Sequence, residues 1–320
     1  MLRKSETNND IMETLTNGVL TIEVSSHGAE LCSIRKGGTE YLWQADPAFW
    51  KRHSPVLFPI VGSLWNGKYR VGDKEYEMSQ HGFARDMDFT LVSKSDNEVW
   101  YRLESCGETL GRYPYPFVLE IGYRLAGNRV EVLWKVSNPS DSDMYFQIGA
   151  HPAFYYPDFD PQTEDRGYFL LERQRGVSSG VQEGSSSVGT DKNIQDRDIF
   201  LYDLISEKGC ADPDTKYEIP ARIPLDTHIF DRDALIFEDS QVGKVTLLTK
   251  GGTPWLSLSF DAPLVGLWSP AGKNAPFVCI EPWYGRCDRA GFVGDFSQKD
   301  RIQHLRPHRS FNSVYTIEIY

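Results

Sequence analysis

Three short stretches of the chain each hold one or two ionisable side chains in apolar, aromatic surroundings shaped by Gly or Pro. They are Ser79-Gln80-His81-Gly82-Phe83-Ala84-Arg85, Gln147-Ile148-Gly149-Ala150-His151-Pro152-Ala153-Phe154 and Cys279-Ile280-Glu281-Pro282-Trp283-Tyr284-Gly285. Glu281 follows the apolar run 277–280, where a charge is costly unless it is partnered or used. Pro282 then reads as the stop of that strand, and Trp283 offers an aromatic platform. His151 sits similarly, after Phe146-Gln147-Ile148-Gly149-Ala150 and before a proline. Burial raises a glutamate pKa and lowers a histidine pKa, moving the two towards each other near neutrality. Such a pair suits general acid–base catalysis at neutral pH. A lone histidine at a strand end is more often structural, and a buried glutamate can belong to an ion pair. Two histidines and a glutamate, each so placed, leave the catalytic and structural readings evenly balanced on residue chemistry alone. Trp43, Trp50, Trp65, Trp268, Trp283 and Tyr284 add aromatic faces on which a pyranose ring could pack, although most tryptophans of a β sandwich belong to its core.

The elements that must position these groups read as strands. Period-two alternation marks residues 19–24, 98–104, 117–125, 129–136, 144–148, 244–248, 255–260, 277–280 and 313–319. Gly127-Asn128 has the composition of a hairpin turn, and Asn138-Pro139-Ser140 closes the following strand. No long stretch carries a helical apolar face. Strands at short intervals without helices between them predict antiparallel sheets packed as a large sandwich. The Ser- and Gly-rich residues 176–189 read as a loop. No repeat or linker is visible, so residues 13–320 are expected to form a single domain, with residues 1–12 as a tail.

Composition narrows the partners. The 320 residues are 40% hydrophobic and 25% charged, with a formal net charge of −11. Such a chain can bury a sizeable core, and its acidity opposes nucleic acid and anionic lipid. No apolar run approaches the roughly 20 residues that span a bilayer, and the N-terminus lacks the apolar core of a signal peptide. The expectation is a cytoplasmic protein, monomer or homodimer, acting on a small molecule. Its five cysteines (Cys32, Cys106, Cys210, Cys279, Cys287) form no CxxC pair and read as buried, reduced thiols. The seven histidines lack metal-ligand spacing, so no metal and no cofactor are expected. There is no nucleotide-binding glycine fingerprint. A G-x-S-x-G match at 176–180 lacks the buried strand and helix that a nucleophile elbow requires.

With Trp50-Lys51-Arg52-His53-Ser54-Pro55-Val56-Leu57-Phe58-Pro59-Ile60-Val61-Gly62 and Asp233-Ala234-Leu235-Ile236-Phe237 added, the three stretches occur in an order that resembles the aldose 1-epimerase (galactose mutarotase-like) superfamily, closest to its LacX-like branch. The resemblance runs from about Met12 to Tyr320. It implies an all-β fold, a large antiparallel β supersandwich with the sugar in an open cleft. It implies an isomerase that interconverts hexose anomers without a cofactor. His151 would protonate the ring oxygen, Glu281 would take the anomeric hydroxyl proton, and His81 would support the developing charge. Arg52, Arg85, Asp233 and Trp283 would bind the sugar, with structural salt bridges as the competing role for the arginines. In pH terms the acid limb of activity would report Glu281 and the basic limb His151. Many relatives carry Arg where this chain has Ser63, which bears on the identity of the sugar. The competing readings are a hexose-6-phosphate 1-epimerase, which needs a basic cluster such as Lys51, Arg52 and Arg85, and a carbohydrate-binding protein without catalysis. A glycoside hydrolase would want two carboxylates.

Overall fold

Where apolar and polar residues alternate, the chain forms strands that bury one face. The computed structural model describes residues 11–174, 198–212 and 215–320; the G-x-S-x-G match, the loop at 176–189 and residues 1–10 of the tail lie outside them. Strand Arg129–Ser137 turns Val130, Val132, Trp134 and Val136 inward. It pairs antiparallel with Val118–Ala126 through the two-residue turn Gly127-Asn128, where Gly127 adopts a φ of 62° that glycine tolerates without strain. These two strands lie in a nine-stranded sheet. Its order is Arg222–Pro224, Tyr168–Arg173, Val242–Leu248, Pro254–Phe260, Ser310–Ile319, Arg129–Ser137, Val118–Ala126, Glu98–Glu104 and Thr90–Lys94.

A second sheet has six strands, in the order Leu235–Phe237, Leu264–Trp268, Phe277–Tyr284, Ile148–Ala150 and Val56–Leu57, with Ala153–Tyr155 also pairing on Phe277–Tyr284. The named strands of both sheets pair antiparallel. Val278, Ile280, Val265 and Leu267 of the six-stranded sheet join Val130, Val132 and Ile317 of the nine-stranded one in a single core. Each such side chain contributes roughly 1.5–3 kcal/mol by leaving water. The expected all-β antiparallel sandwich is therefore the observed fold. Helix among the described residues is limited to one turn-and-a-half, Gly107–Arg112, and short 3-10 turns. None is long and apolar enough to cross a membrane.

The six-stranded sheet also has its outer face covered. Leu57, Ile236, Leu264 and Trp283 form one outer cluster, and Trp43, Ala153, Phe277 and Cys279 another. Covered on both faces, these strands lack alternation and are short, so pattern reading could not find most of them. Two boundaries change accordingly. Residues 144–148, expected as one strand, divide into Met144–Phe146 and Ile148–Ala150. The strand expected to stop at Pro282 runs on to Tyr284. Ile280 N–H donates to Pro152 C=O at 3.3 Å, so the nitrogen of Pro282, two residues on, faces the same side. There the ladder is already interrupted between Ile148–Ala150 and Ala153–Tyr155, and no donor is missed. At the N-terminus, Met12–Thr16 pairs with Thr21–Ser25, so strand structure begins at Met12.

Candidate active site

The interruption that accommodates Pro282 also creates the site. His151 occupies it, with its N–H held by Pro55 C=O at 3.2 Å, and its side chain turns to the outer face of the sheet. On the neighbouring strand the side chains alternate. Val278 and Ile280 enter the core, while Cys279, Glu281 and Trp283 share the outer face. His151 Nε2 thereby lies 3.3 Å from Glu281 Oε1, with side chains 9% and 2% exposed. His81 reaches the pair from a third segment, its ring 5.6 Å from that of His151 and nearly perpendicular.

His81 is held with unusual definition. Its backbone sits at φ 67°, a left-handed conformation that is rare for a residue with a Cβ. Its N–H donates to Gly62 C=O at 2.9 Å, and Gly62 N–H donates back to His81 Nδ1 at 3.1 Å. Nδ1 is therefore the acceptor, and in the neutral ring the proton resides on Nε2. Gly82, at φ 72°, lies so close to Phe58 that a Cβ would stand 2.2 Å from the Phe58 carbonyl oxygen. Glycine also makes room for Trp283. A Cβ on Gly266 or Gly149 would come within 2.4 Å or 2.6 Å of the indole.

All seven residues singled out from sequence line one cavity of about 600 Å³: His81, His151, Glu281, Arg52, Arg85, Asp233 and Trp283. Trp50 and Trp268 line it as well, and both pack on His151. Trp50 stacks on it at 4.7 Å and 28°, and Trp268 meets it edge-on at 5.5 Å. Both were visible in the sequence only as two among many aromatics. Ile205, Gly209 and Cys287, also in the wall, carried no sequence signal. Trp65, by contrast, lies under Lys208, and Trp43 belongs to the outer cluster. Asp233 is exposed, at φ 76°, with Oδ1 accepting from Ala234 N–H. Arg52 pairs with Asp86 at 2.7 Å. Arg85 donates to Gln80 C=O, and its Nε has no hydrogen-bond partner. Both arginines thus face the cavity while carrying structural contacts. Ser63 lies outside the lining. A Cβ on Gly209 would stand 2.8 Å from Ser63 Oγ, so an arginine at 63 would require the turn Glu207–Gly209 to move.

Burial dominates the electrostatics. It pushes His151 down to about 3, assisted by the charge of Arg85 and then of Arg52. Burial likewise drives His81 well below its ordinary value, with His151, Arg85 and Arg52 adding to it. Glu281 is raised well above the usual carboxylate range by burial and by Asp233. The directions are those expected from sequence, but they carry the two groups past each other. Burial of both groups disfavours the separated ion pair, and His151 Nε2 and Glu281 Oε1 are placed to share one proton across 3.3 Å. Glu281 Oε2, His151 Nδ1 and the Trp283 indole N–H are buried and make no well-aligned hydrogen bond in the protein, although the indole N–H lies near enough to Glu281 to oppose the rise in its pKa. Unspent polar atoms in a pocket mark where a polar ligand would bond.

Two clusters bring possible metal-ligand atoms within 4.8 Å of one another: His151, Cys279 and Glu281, and Glu30, Cys32 and His53. Neither is foreshadowed by spacing in the sequence. In the second, Glu30 Oε1 is occupied by the N–H groups of His53 and Ser54. In the first, burial pushes the Cys279 thiol up, opposing the thiolate that a metal needs. Four of the five cysteines are buried as expected, whereas Cys106 is exposed.

A two-sheet antiparallel sandwich with histidines and a carboxylate on the covered outer face of one sheet defines a particular fold class, and comparison with known proteins agrees. Residues 12–181 match the aldose 1-epimerase family profile. The chain is 33% identical over 313 residues to the chromosomal protein LacX of Lactococcus lactis subsp. lactis, covering 95% of this chain and 98% of LacX. The crystal structure of a galactose mutarotase related enzyme from Lactobacillus acidophilus superimposes with a TM-score of 0.83 at 31% identity, covering 97% of each chain. That of a galactose mutarotase-like protein from Lactobacillus casei gives 0.82 at 29%, covering 97% of this chain and all of the other. The chain belongs to the aldose 1-epimerase family.

Proposed function

We propose that the chain is an aldose 1-epimerase, a cytoplasmic, cofactor-free isomerase that interconverts the α and β anomers of a hexose by opening and closing its ring. The observation that carries this reading is the His151–Glu281 pair, 3.3 Å apart and buried at a cavity of about 600 Å³. The pair holds one proton, which is what ring opening requires. With that proton on His151, Glu281 takes the proton from the anomeric O1–H. The C1–O1 bond becomes a carbonyl, the C1–O5 bond breaks, and O5 receives the proton from His151. The products of the step are the open-chain aldehyde, neutral His151 and protonated Glu281. Rotation about C1–C2 and the reverse transfers give the other anomer. The total proton count never changes, so neither water nor a redox partner is needed.

Burial disfavours separated charge on the pair, and the open-chain stage, with neutral His151 and protonated Glu281, carries none. Sugar hydroxyls that donate to Glu281 would favour its anionic form and draw the shared proton back to His151. His81, with its proton directed away from Gly62, would donate to the ring oxygen as charge develops there. Arg52, Arg85 and Asp233 would bond hydroxyls, and the Trp283 face would pack on the ring. A second reading has an observation of its own. Lys51, Arg52 and Arg85 flank the same cavity, and an anionic substituent such as a 6-phosphate would be held there. Polarimetric mutarotation of α-glucose, α-galactose and their 6-phosphates, corrected for the spontaneous rate, tests both. Acceleration of a free hexose supports the first reading, and preference for a phosphate ester supports the second. Saturable binding of sugar without any acceleration identifies a binding protein instead.

A further inference from the structure

We propose that Trp50 is a positioning residue: its indole face fixes the plane of the His151 ring and favours the charged imidazolium needed to protonate the ring oxygen. This rests on the acid role given to His151 above.

A working histidine is commonly oriented by a hydrogen bond to its second ring nitrogen. His151 has no such bond of good geometry to another residue: Nδ1 is buried and meets only the backbone of His151 itself, a contact that also favours the cation. Aromatic contacts take its place. Trp50 lies parallel to the ring at 4.7 Å and 28°, while Trp268 and His81 meet it at 83° and 84°. Parallel stacking presents the electron-rich face of an indole, and tryptophan is the strongest cation–π partner among the side chains.

The other groups around His151 show why such a contribution matters. Arg85 and His81 approach from residues 79–86, and Arg52 and Lys51 from the segment that carries Trp50. The charges of Arg85 and Arg52 oppose a further positive charge on His151. From the strand Phe277–Tyr284 come Glu281, which favours the cation when ionised, and the neutral thiol of Cys279. Asp233 lies beyond Glu281 at the rim. Trp50 is thus one of few groups that stabilise the imidazolium.

Trp50 is itself held on two sides, by packing on Phe277 and Trp268 of the six-stranded sheet and by backbone bonds within its own segment. Its carbonyl accepts from the Trp43 indole N–H at 2.8 Å, and its N–H donates to Asp46 C=O at 3.0 Å. Three residues on, His53 and Ser54 donate their N–H groups to Glu30 at 2.8 Å and 2.9 Å. The same segment grips the backbone around His151, through Pro55 C=O and His53 C=O.

The test replaces Trp50 alone with tryptophans of increasing fluorination, introduced by stop-codon suppression in the full chain. Shape is kept while the face potential falls. We expect kcat for mutarotation to fall progressively, by a total of about three- to tenfold, with KM little changed. The acid limb of kcat should move to lower pH by about 0.5–1 unit. Trp50→Leu should lower kcat further. A role confined to packing predicts otherwise: fluorination would leave kcat and the limb in place, and Trp50→Leu would admit water and move the limb to higher pH. Either result overturns the proposal. If the wild-type chain accelerates no sugar, the mutarotase reading fails by itself. The fluorinated series is then decided by the ¹⁵N shifts of the His151 ring on acid titration, where an unmoved titration overturns it.

Discussion

Glu281 is 1% exposed and His151 7% exposed, so each binds protons differently from its unfolded counterpart. The folded pKa of Glu281 is raised, so the folded state holds a proton that the unfolded state releases. Stability is then lost as pH rises from the unfolded glutamate value towards the folded one. The folded pKa of His151 is lowered, so stability is lost as pH falls from the ordinary histidine value towards about 3. Glu281→Gln removes the first cost while keeping the shape. It should raise the melting temperature at pH 8 by a few degrees and by less at pH 4.5, as differential scanning fluorimetry would show. An unchanged or lower melting temperature at pH 8 would mean that the folded pKa of Glu281 is not raised. The pH profile of activity follows from the shared proton. The acid limb marks arrival of a second proton on the pair, governed by His151. The basic limb marks loss of the last one, governed by Glu281. The sequence suggests the opposite assignment; the opposed shifts of the two buried groups, Glu281 up and His151 down, favour this one. Kinetics of His151→Asn and Glu281→Gln across pH would show it: the acid limb should vanish in the first and the basic limb in the second.

The outer face of the six-stranded sheet works as a platform only because glycine stands beneath Trp283. A Cβ at 266 would come 2.4 Å from the indole. Gly266→Ala should therefore tilt Trp283 and cost about 1–3 kcal/mol of stability in chemical denaturation. It should raise KM more than it lowers kcat, since it displaces a wall of the cavity and not the proton carriers. Little change in either quantity would show that Trp283 has room to move. The sequence announced the strand Glu98–Glu104 because one face of it meets the core and the other meets solvent. It could not announce Leu235–Phe237 or Leu264–Trp268, which are covered on both sides. His81, His151 and Glu281 were legible as ionisable groups in apolar runs. Their convergence was not, because it depends on the break in the ladder at His151-Pro152. The stacking of Trp50 was hidden for the same reason.

Across the whole molecule the site is braced by charge buried behind it. Lys299 and Asp288, 1% and 2% exposed, pair at 2.6 Å, and Asp288 also accepts from Trp65 N–H at 2.8 Å. Two parts of the chain far apart in sequence, one holding Trp65 and the other Asp288 and Lys299, thus meet beside Cys287 of the cavity wall. Lys299→Met leaves Asp288 buried and uncompensated, and should cost about 3–5 kcal/mol in urea unfolding. A loss under about 1 kcal/mol would show that water reaches Asp288. Activity should survive exhaustive dialysis against a chelator, because the proposed mechanism uses side chains alone. Loss restored by a divalent ion would move the mechanism to the His151–Cys279–Glu281 cluster. The central claim is that Glu281 and His151 share the proton that opens the sugar ring. Its most direct test is steady-state mutarotation of the best hexose by Glu281→Gln, corrected for the spontaneous rate. Proton sharing predicts a loss of about 10²–10⁴-fold in kcat with KM little moved; retention of near wild-type kcat would leave Glu281 a structural residue.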